Sequence, residues 1–162
     1  MKTGYTLIEL LIVISIIGML SVVAFVNFKD FSKDQQLKKA VGEVQSFLRL
    51  AQSNATSSVF CNGAYGVAWK VIFDTSKLEI KCGDDVSIKT FDLQSGITQT
   101  VSGCSDLALP FKVSYSALKG ERSILDNNGV LKNCGDVIIT LTNDKGGTKS
   151  LTLTSGGAIN VQ

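Results

Sequence analysis

The chain has 162 residues, the size of one ordinary domain, and a formal net charge of +2 from 16 basic and 14 acidic side chains. It contains no histidine, which excludes Ser-His-Asp and Cys-His nucleophile systems, histidine-ligated zinc or haem, and an imidazole pH switch. The near-neutral charge argues against a nucleic-acid-binding surface over the whole chain. The mean hydropathy is +0.24 although 19% of the residues are charged, so the apolar excess must have a local source.

That source is the segment 5–28. Of its 24 residues 18 are apolar, and Glu9 is its only charged residue. About 20 apolar residues span a hydrocarbon core of ~30 Å, so the segment is predicted to be a transmembrane helix. The alternatives are a plain membrane anchor and a cleaved secretory signal. The run is too long for a signal peptide, and no small-residue cleavage site follows it before Lys29. A carboxylate at the bilayer centre costs at least ~2.5 kcal/mol, so Glu9 requires an explanation.

The residues around Glu9 offer that explanation. Residues 4–11, GYTLIELL, resemble the class III signal of type IV pilins and type II secretion pseudopilins. The resemblance implies that residues 1–4 are a leader and that prepilin peptidase cuts between Gly4 and Tyr5, on the cytoplasmic side. It further implies N-methylation of Tyr5, although the family usually has phenylalanine at this position.

The same resemblance gives Glu9 a role in assembly. It implies that the carboxylate meets the N-terminal amine of a neighbouring subunit and sets the axial register of a fibre. In a low-dielectric fibre core an unpaired charge is costly and an opposite pair is attractive. The alternatives are a Glu9 carboxyl group protonated in lipid, or one paired with the amine of its own chain. A retained Glu9 also argues against the tip subunit of the type II system, which characteristically lacks it.

The apolar segment continues into an amphipathic one, residues 29–58. Its apolar residues follow helical spacing; they are Leu37, Val41, Val44, Leu48 and Ala51, widened by Ala40, Phe47 and Ala55. No proline interrupts residues 5–56, so the pattern predicts one helix of ~50 residues and ~75 Å. Its first half forms a stalk and its second half packs on a globular part. Many pilins have a proline near the position of Val26; its absence here predicts a stalk with little kink.

Residues 59–162 are predicted to form a small antiparallel β domain, which makes the fold class α+β. The strand-like runs are Val67–Phe73, Leu78–Cys82, Val86–Phe91, Phe111–Tyr115, Val137–Thr142 and Ser150–Thr154. The last two flank a hairpin turn at residues 143–147. Residues 126–129, DNNG, are predicted to be a turn rather than a calcium loop, because no bidentate glutamate follows at the required spacing.

The resemblance extends into this domain. Residues 47–55, 59–61, 66–74 and 156–161 resemble the GspH/FimT type of minor pseudopilin in spacing and hydrophobic pattern. This resemblance implies a β-sandwich, or a pair of small sheets, packed on the long helix.

Four cysteines lie in the β domain: Cys61, Cys82, Cys104 and Cys134. An even number without CxxC spacing favours disulfides over metal binding or redox chemistry. Three pairings are possible; the short-range pairs Cys61–Cys82 and Cys104–Cys134 are favoured, each contributing ~3 kcal/mol. Four free buried cysteines are the alternative. Disulfides would put the β domain outside the cytoplasm.

The function predicted from these features is that of a structural subunit, a minor pseudopilin or minor pilin of a type II secretion or type IV pilus machine. The chain is expected to cross the inner membrane once, with its N-terminus in the cytoplasm. Its expected partners are other pilins, prepilin peptidase, the inner-membrane assembly platform and membrane lipid. Neither catalysis, a cofactor nor a metal is expected.

Two alternatives stay open. One is a major pilin; the other is a competence pseudopilin or DNA-binding pilus subunit. Lys132, Lys145 and Lys149 near the C-terminal hairpin are the candidate DNA contacts, but Asp136 and Asp144 offset their charge. Nucleic acid is therefore not an expected partner.

Overall fold

The computed structural model describes residues 6–61, 63–83 and 86–162, without the side chains of residues 22–30. In this part of the chain one helix, α1 (Leu7–Thr56), precedes ten strands. The strands are β1 (Trp69–Phe73), β2 (Lys77–Cys82), β3 (Val86–Asp92), β4 (Ile97–Ser102), β5 (Phe111–Tyr115), β6 (Arg122–Leu125), β7 (Leu131–Lys132), β8 (Val137–Asn143), β9 (Thr148–Leu153) and β10 (Ile159–Val161).

Helix α1 is continuous over 50 residues, as the absence of proline predicts. Thr6 is its N-cap and Ser57 its C-cap. At the C-terminal end the carbonyl of Ala55, which also accepts from the N–H of Ser58, accepts a hydrogen bond at 3.0 Å from the backbone N–H of Leu118, in the loop between β5 and β6. The end of the helix is thereby tied to the β domain.

The strands form two antiparallel sheets. The larger has six strands in the order β3-β2-β1-β5-β6-β7, and the smaller has four in the order β10-β9-β8-β4. The chain crosses from one sheet to the other after β3, after β4 and after β7. The predicted α+β class, a long helix packed on a small antiparallel β domain, is confirmed.

Four strands, β4, β6, β7 and β10, are absent from the sequence prediction. In β4 the buried positions are Ile97 and Gln99, and the positions that follow each of them, Thr98 and Thr100, are exposed. A buried glutamine breaks the apolar alternation by which such a strand is recognised. Strand β7 has two residues, too few to carry any periodic pattern.

The second half of α1 packs on both sheets. The whole predicted apolar stripe is buried: Leu37, Ala40, Val41, Val44, Phe47, Leu48, Ala51 and Ala55. On the inner face of the six-stranded sheet, Phe73 of β1 stacks on Phe111 of β5, with ring centroids 4.8 Å apart. The Phe47 ring meets Phe91 edge to face at 6.2 Å. The side chains that hold the helix to the sheets are therefore those of its predicted amphipathic stripe.

Both disulfides favoured from the sequence are present. Cys61 is joined to Cys82, which fastens the loop after α1 to β2. Cys104 is joined to Cys134, which links the end of β4 to the crossover between β7 and β8. The segment 126–129 is a turn, in which Asp126 accepts hydrogen bonds from the backbone N–H groups of Gly129 and Val130.

Candidate assembly site

The first part of α1, residues 7–21, is apolar on all sides and uncovered. Its large apolar side chains are between 51% and 82% exposed; they are Leu7, Ile8, Leu10, Leu11, Ile12, Val13, Ile14, Ile16, Ile17, Met19 and Leu20. Successive residues point about 100° apart around a helix, so such a run leaves no polar face. A helix of this kind is stable only where apolar surroundings cover it, in a membrane or in an assembly.

The polar side chains of this segment bond within the helix itself. The Ser15 hydroxyl donates to the carbonyl of Leu11, and the Ser21 hydroxyl donates to the carbonyl of Ile17, both at 2.8 Å. Such back-bonding satisfies a hydroxyl without water. The segment therefore carries its polar groups in the form that an apolar environment tolerates.

Glu9 closes the N-terminal end of α1. Its Oε2 accepts hydrogen bonds from the backbone N–H and from the hydroxyl of Thr6, both at 2.9 Å. The Thr6 Oγ1 in turn accepts from the Glu9 N–H at 3.3 Å, which completes a capping box. Both bonds to the carboxylate fall on Oε2. Oε1 makes no hydrogen bond to the described residues.

The predicted processing residues, Gly4 and Tyr5, lie outside the described residues, and the predicted segment 5–28 lies partly outside them. Within the described part of the chain, no helical stretch reaches the length and hydropathy needed to cross a membrane.

Helix α1 extends away from the β domain beside the turn between β8 and β9. Lys33 on α1 pairs with Asp144 at 3.0 Å. The Nδ2 of the buried Asn143 donates to Asp34 at 3.4 Å, while its Oδ1 accepts from the N–H groups of Lys145 and Gly147. The Asn143 side chain thus stabilises the β8–β9 turn and also bonds that turn to α1. The sequence predicts the turn but carries no signal for its contact with α1.

Arg122 is a structural centre that sequence reasoning missed. From β6 its guanidinium donates to the carbonyls of Leu153, Cys134 and Gly135 at 3.1, 3.0 and 2.8 Å. Burial lowers the pKa of Arg122, and the nearby Tyr115 and Asp136 oppose that shift. The side chain thus joins the six-stranded sheet to the four-stranded one and to the loop that carries the second disulfide.

The motif predicted at the N-terminus has a match among known families. The family model described as the prokaryotic N-terminal methylation motif matches residues 1–25. A fimbrial protein of Pseudomonas aeruginosa is 42% identical over 52 residues, which is 32% of this chain and 34% of that protein. A second fimbrial protein of the same organism gives the same values. The chain thus spans about a third of the length of the curated relatives it matches.

The fold also has matches among solved structures. A crystal structure of the minor pseudopilin EpsH from the type II secretion system of Vibrio cholerae superposes with a TM-score of 0.50 at 11% identity, covering 80% of this chain and 94% of that one. Another EpsH structure gives 0.48 at 10% identity, covering 78% and 96%. Identity this low shows a common fold and no more. The chain is therefore similar to type IV pilins in its N-terminal part, by the methylation motif and the fimbrial likeness, and it shares the fold of a minor pseudopilin.

Proposed function

We propose that this chain is a structural subunit that is built into a helical fibre through the first half of α1. The observation that carries the proposal is the uncovered segment 7–21, which is apolar on all sides and bonds its own polar groups. Packing such helices against one another keeps their apolar surface out of water once they leave the membrane, and exposure to water would cost about 25 cal/mol per Å². The role is one of assembly rather than catalysis.

Processing and anchoring belong to the same proposal. Prepilin peptidase cuts between Gly4 and Tyr5, Tyr5 is N-methylated, and residues 5–28 hold the subunit in the inner membrane until assembly. The N-terminus lies in the cytoplasm and the β domain outside, which agrees with two disulfides that persist only in an oxidising compartment. Intact mass is the test: the mature chain lacks residues 1–4 and carries one methyl group, and Gly4→Leu leaves the leader attached.

The subunit is proposed to be a minor pseudopilin or minor pilin. The fold it shares with EpsH supports a minor subunit over a major pilin. Its partners are the other fibre subunits and the inner-membrane assembly platform.

DNA binding in a competence system is the less favoured reading. Of the three candidate lysines, Lys132 is paired with Asp126 at 3.7 Å. A gel shift with the full chain in detergent at two salt concentrations separates the readings, because DNA binding through phosphates weakens steeply with salt. A salt-dependent shift would favour the competence role.

Fibre incorporation is measured by shearing cells that express the full secretion or pilus machinery and separating fibres from membranes. The wild-type chain is expected in the fibre fraction. Ile14→Lys places a charge within the apolar segment at a cost of about 3 kcal/mol, and it is expected to abolish incorporation. Ser46→Lys, at an exposed position in the second half of α1, is the matched control. A wild-type chain confined to the membrane fraction would refute the proposed function.

A further inference from the structure

The Cys104–Cys134 disulfide lies where the chain crosses between the sheets. Strand β7 belongs to the six-stranded sheet and β8 to the four-stranded one, so residues 133–136 form the crossover. The ladder between β4 and β8 ends at Ser102 opposite Ile138. Continued along both strands, this register sets Cys104 opposite Asp136, two residues away from Cys134. The ladder alone therefore does not bring the two cysteines face to face.

Contacts other than the disulfide fix the crossover. Arg122 donates to the carbonyls of Cys134 and Gly135, and the Asp136 carboxylate accepts from the backbone N–H of Ser155 at 3.0 Å. Gly103, next to Cys104, has a φ of +84°, and a Cβ there would overlap the carbonyl oxygen of Asp136. Hydrogen bonds thus hold residues 134–136 in place, and the backbone at Gly103 passes close to them.

Arg122 also holds the crossover to both sheets at once. It lies on β6, in the six-stranded sheet, and its Nη1 reaches Leu153 on β9, in the four-stranded sheet. Arginine suits this task because its planar fork presents several donors in fixed directions, and its bonds to carbonyls are charge-assisted.

We propose that Arg122 is a positioning residue for oxidative folding: it turns the crossover so that Cys134 meets Cys104 before the disulfide forms. It thereby selects this pairing among the three that four cysteines allow. The thiolate of one cysteine attacks a small-molecule or protein disulfide, forming a mixed disulfide and releasing one thiol. The second thiolate then attacks the mixed disulfide and releases the other thiol. Two protons and two electrons leave the chain, and the oxidant becomes two thiols.

The test refolds the full chain in detergent from the reduced, denatured state into a glutathione redox buffer. Free thiols are blocked at intervals, and disulfide-linked peptides are identified by mass. Arg122→Gln is expected to slow formation of the Cys104–Cys134 pair about tenfold, as the loss of a charge-assisted hydrogen bond implies, and to raise the fraction of other pairings. Arg122→Lys keeps the charge but not the planar guanidinium, so its rate of disulfide formation should lie between those of the wild type and Arg122→Gln. Arg49→Gln removes the chain's other arginine, exposed on α1, and is the control.

Because Arg122→Gln removes three hydrogen bonds and can unfold the domain, a second measurement keeps the wild-type arginine. In a Cys104→Ser, Cys134→Ser chain, hydrogen exchange reports the crossover through the backbone amides at positions 134 and 155, which are both hydrogen-bonded in the wild-type structure. Protection that persists without the disulfide supports the proposal. Protection lost at these two amides while the strands stay protected overturns it, and so does wild-type pairing and rate in Arg122→Gln.

Discussion

Replacing Glu9 with valine removes two interactions at the N-terminal end of α1. One is the capping box with Thr6, which the structure contains. The other is the proposed pair between the carboxylate and the N-terminal amine of a neighbouring subunit. The two are compatible, because the capping box uses only Oε2 and leaves Oε1 as a second acceptor.

The magnitudes of the two interactions differ enough to be separated. Loss of a helix cap costs ~1 kcal/mol. Two unit charges 4 Å apart interact by about 4 kcal/mol at an effective dielectric constant of 20. Since 1.4 kcal/mol corresponds to a factor of ten, loss of the pair is expected to reduce incorporation by roughly 10²- to 10³-fold, and loss of the cap alone by less than about tenfold.

Three variants distinguish the contribution of the capping box from that of the ion pair with the neighbouring amine. Glu9→Val loses both; Glu9→Gln loses the charge but retains a side chain that can close a capping box; Thr6→Val loses the hydroxyl of the cap and keeps the charge. The assay measures the fraction of chain in sheared fibres against the fraction in membranes. If the pair matters most, Glu9→Gln fails nearly as completely as Glu9→Val, while Thr6→Val assembles with a small loss. All three are expected to remain in the membrane with both disulfides formed.

The opposite pattern would refute this reasoning. Wild-type incorporation of Glu9→Gln would mean that the negative charge is dispensable and that no amine is paired with it. A loss in Thr6→Val as deep as that in Glu9→Val would mean that Glu9 acts only through the end of its own helix.

Three further predictions concern the β domain and its contact with α1, each read from urea unfolding. Gly120→Ala should destabilise by ~1–3 kcal/mol more than Gly129→Ala, because both have positive φ but a Cβ at Gly120 would lie 2.5 Å from Thr56 while Gly129 faces open space; equal losses would contradict this. Asn143→Ala should cost about 2–3 kcal/mol, since a buried side chain loses hydrogen bonds to the β8–β9 turn and to α1. Tyr115→Phe should be neutral or stabilising by ~1 kcal/mol at pH 7, because the buried hydroxyl has no hydrogen-bond partner among the described residues. Burial raises the pKa of Tyr115, so above pH ~10 the unfolded chain releases a proton that the native state keeps; wild-type stability should then fall by up to about 1.4 kcal/mol per pH unit, and Tyr115→Phe should remove that part of the fall.

The long helix could be predicted because its evidence is local and repeated. Each turn from Leu37 to Ala55 adds an apolar residue on one face, and no proline interrupts the chain. Strands were predicted where branched and aromatic residues alternate, as in β1 and β8. Short strands that depend on hydrogen bonds to neighbouring strands carry no such pattern and were missed. Strand β6 has four residues and is paired on both sides, and β10 has three residues paired with β9.

The candidate assembly site likewise has a part that the sequence predicts and a part that it does not. The motif around Glu9 is contiguous, so the sequence alone predicts it, including the carboxylate that the structure finds in a capping box. Arg122 and Asn143 act on residues far along the chain, with partners 31 and 109 positions away. Nothing beside them in the sequence distinguishes such residues from ordinary polar ones on a strand or a turn.

The two halves of α1 show how one helix can serve two kinds of packing. In the second half, apolar residues occupy one face, and the two sheets bury that face completely at positions such as Val44 and Phe47. In the first half, apolar residues occupy every face of the helix. The β domain covers none of the large apolar side chains that the structure describes there. The fold is therefore satisfied without residues 7–21, which makes their apolar surface available to other molecules. Lys33 and Asp34 lie near the junction of the two halves of α1. The β8–β9 turn holds the helix at these residues and so fixes the direction in which the first half of α1 leaves the β domain.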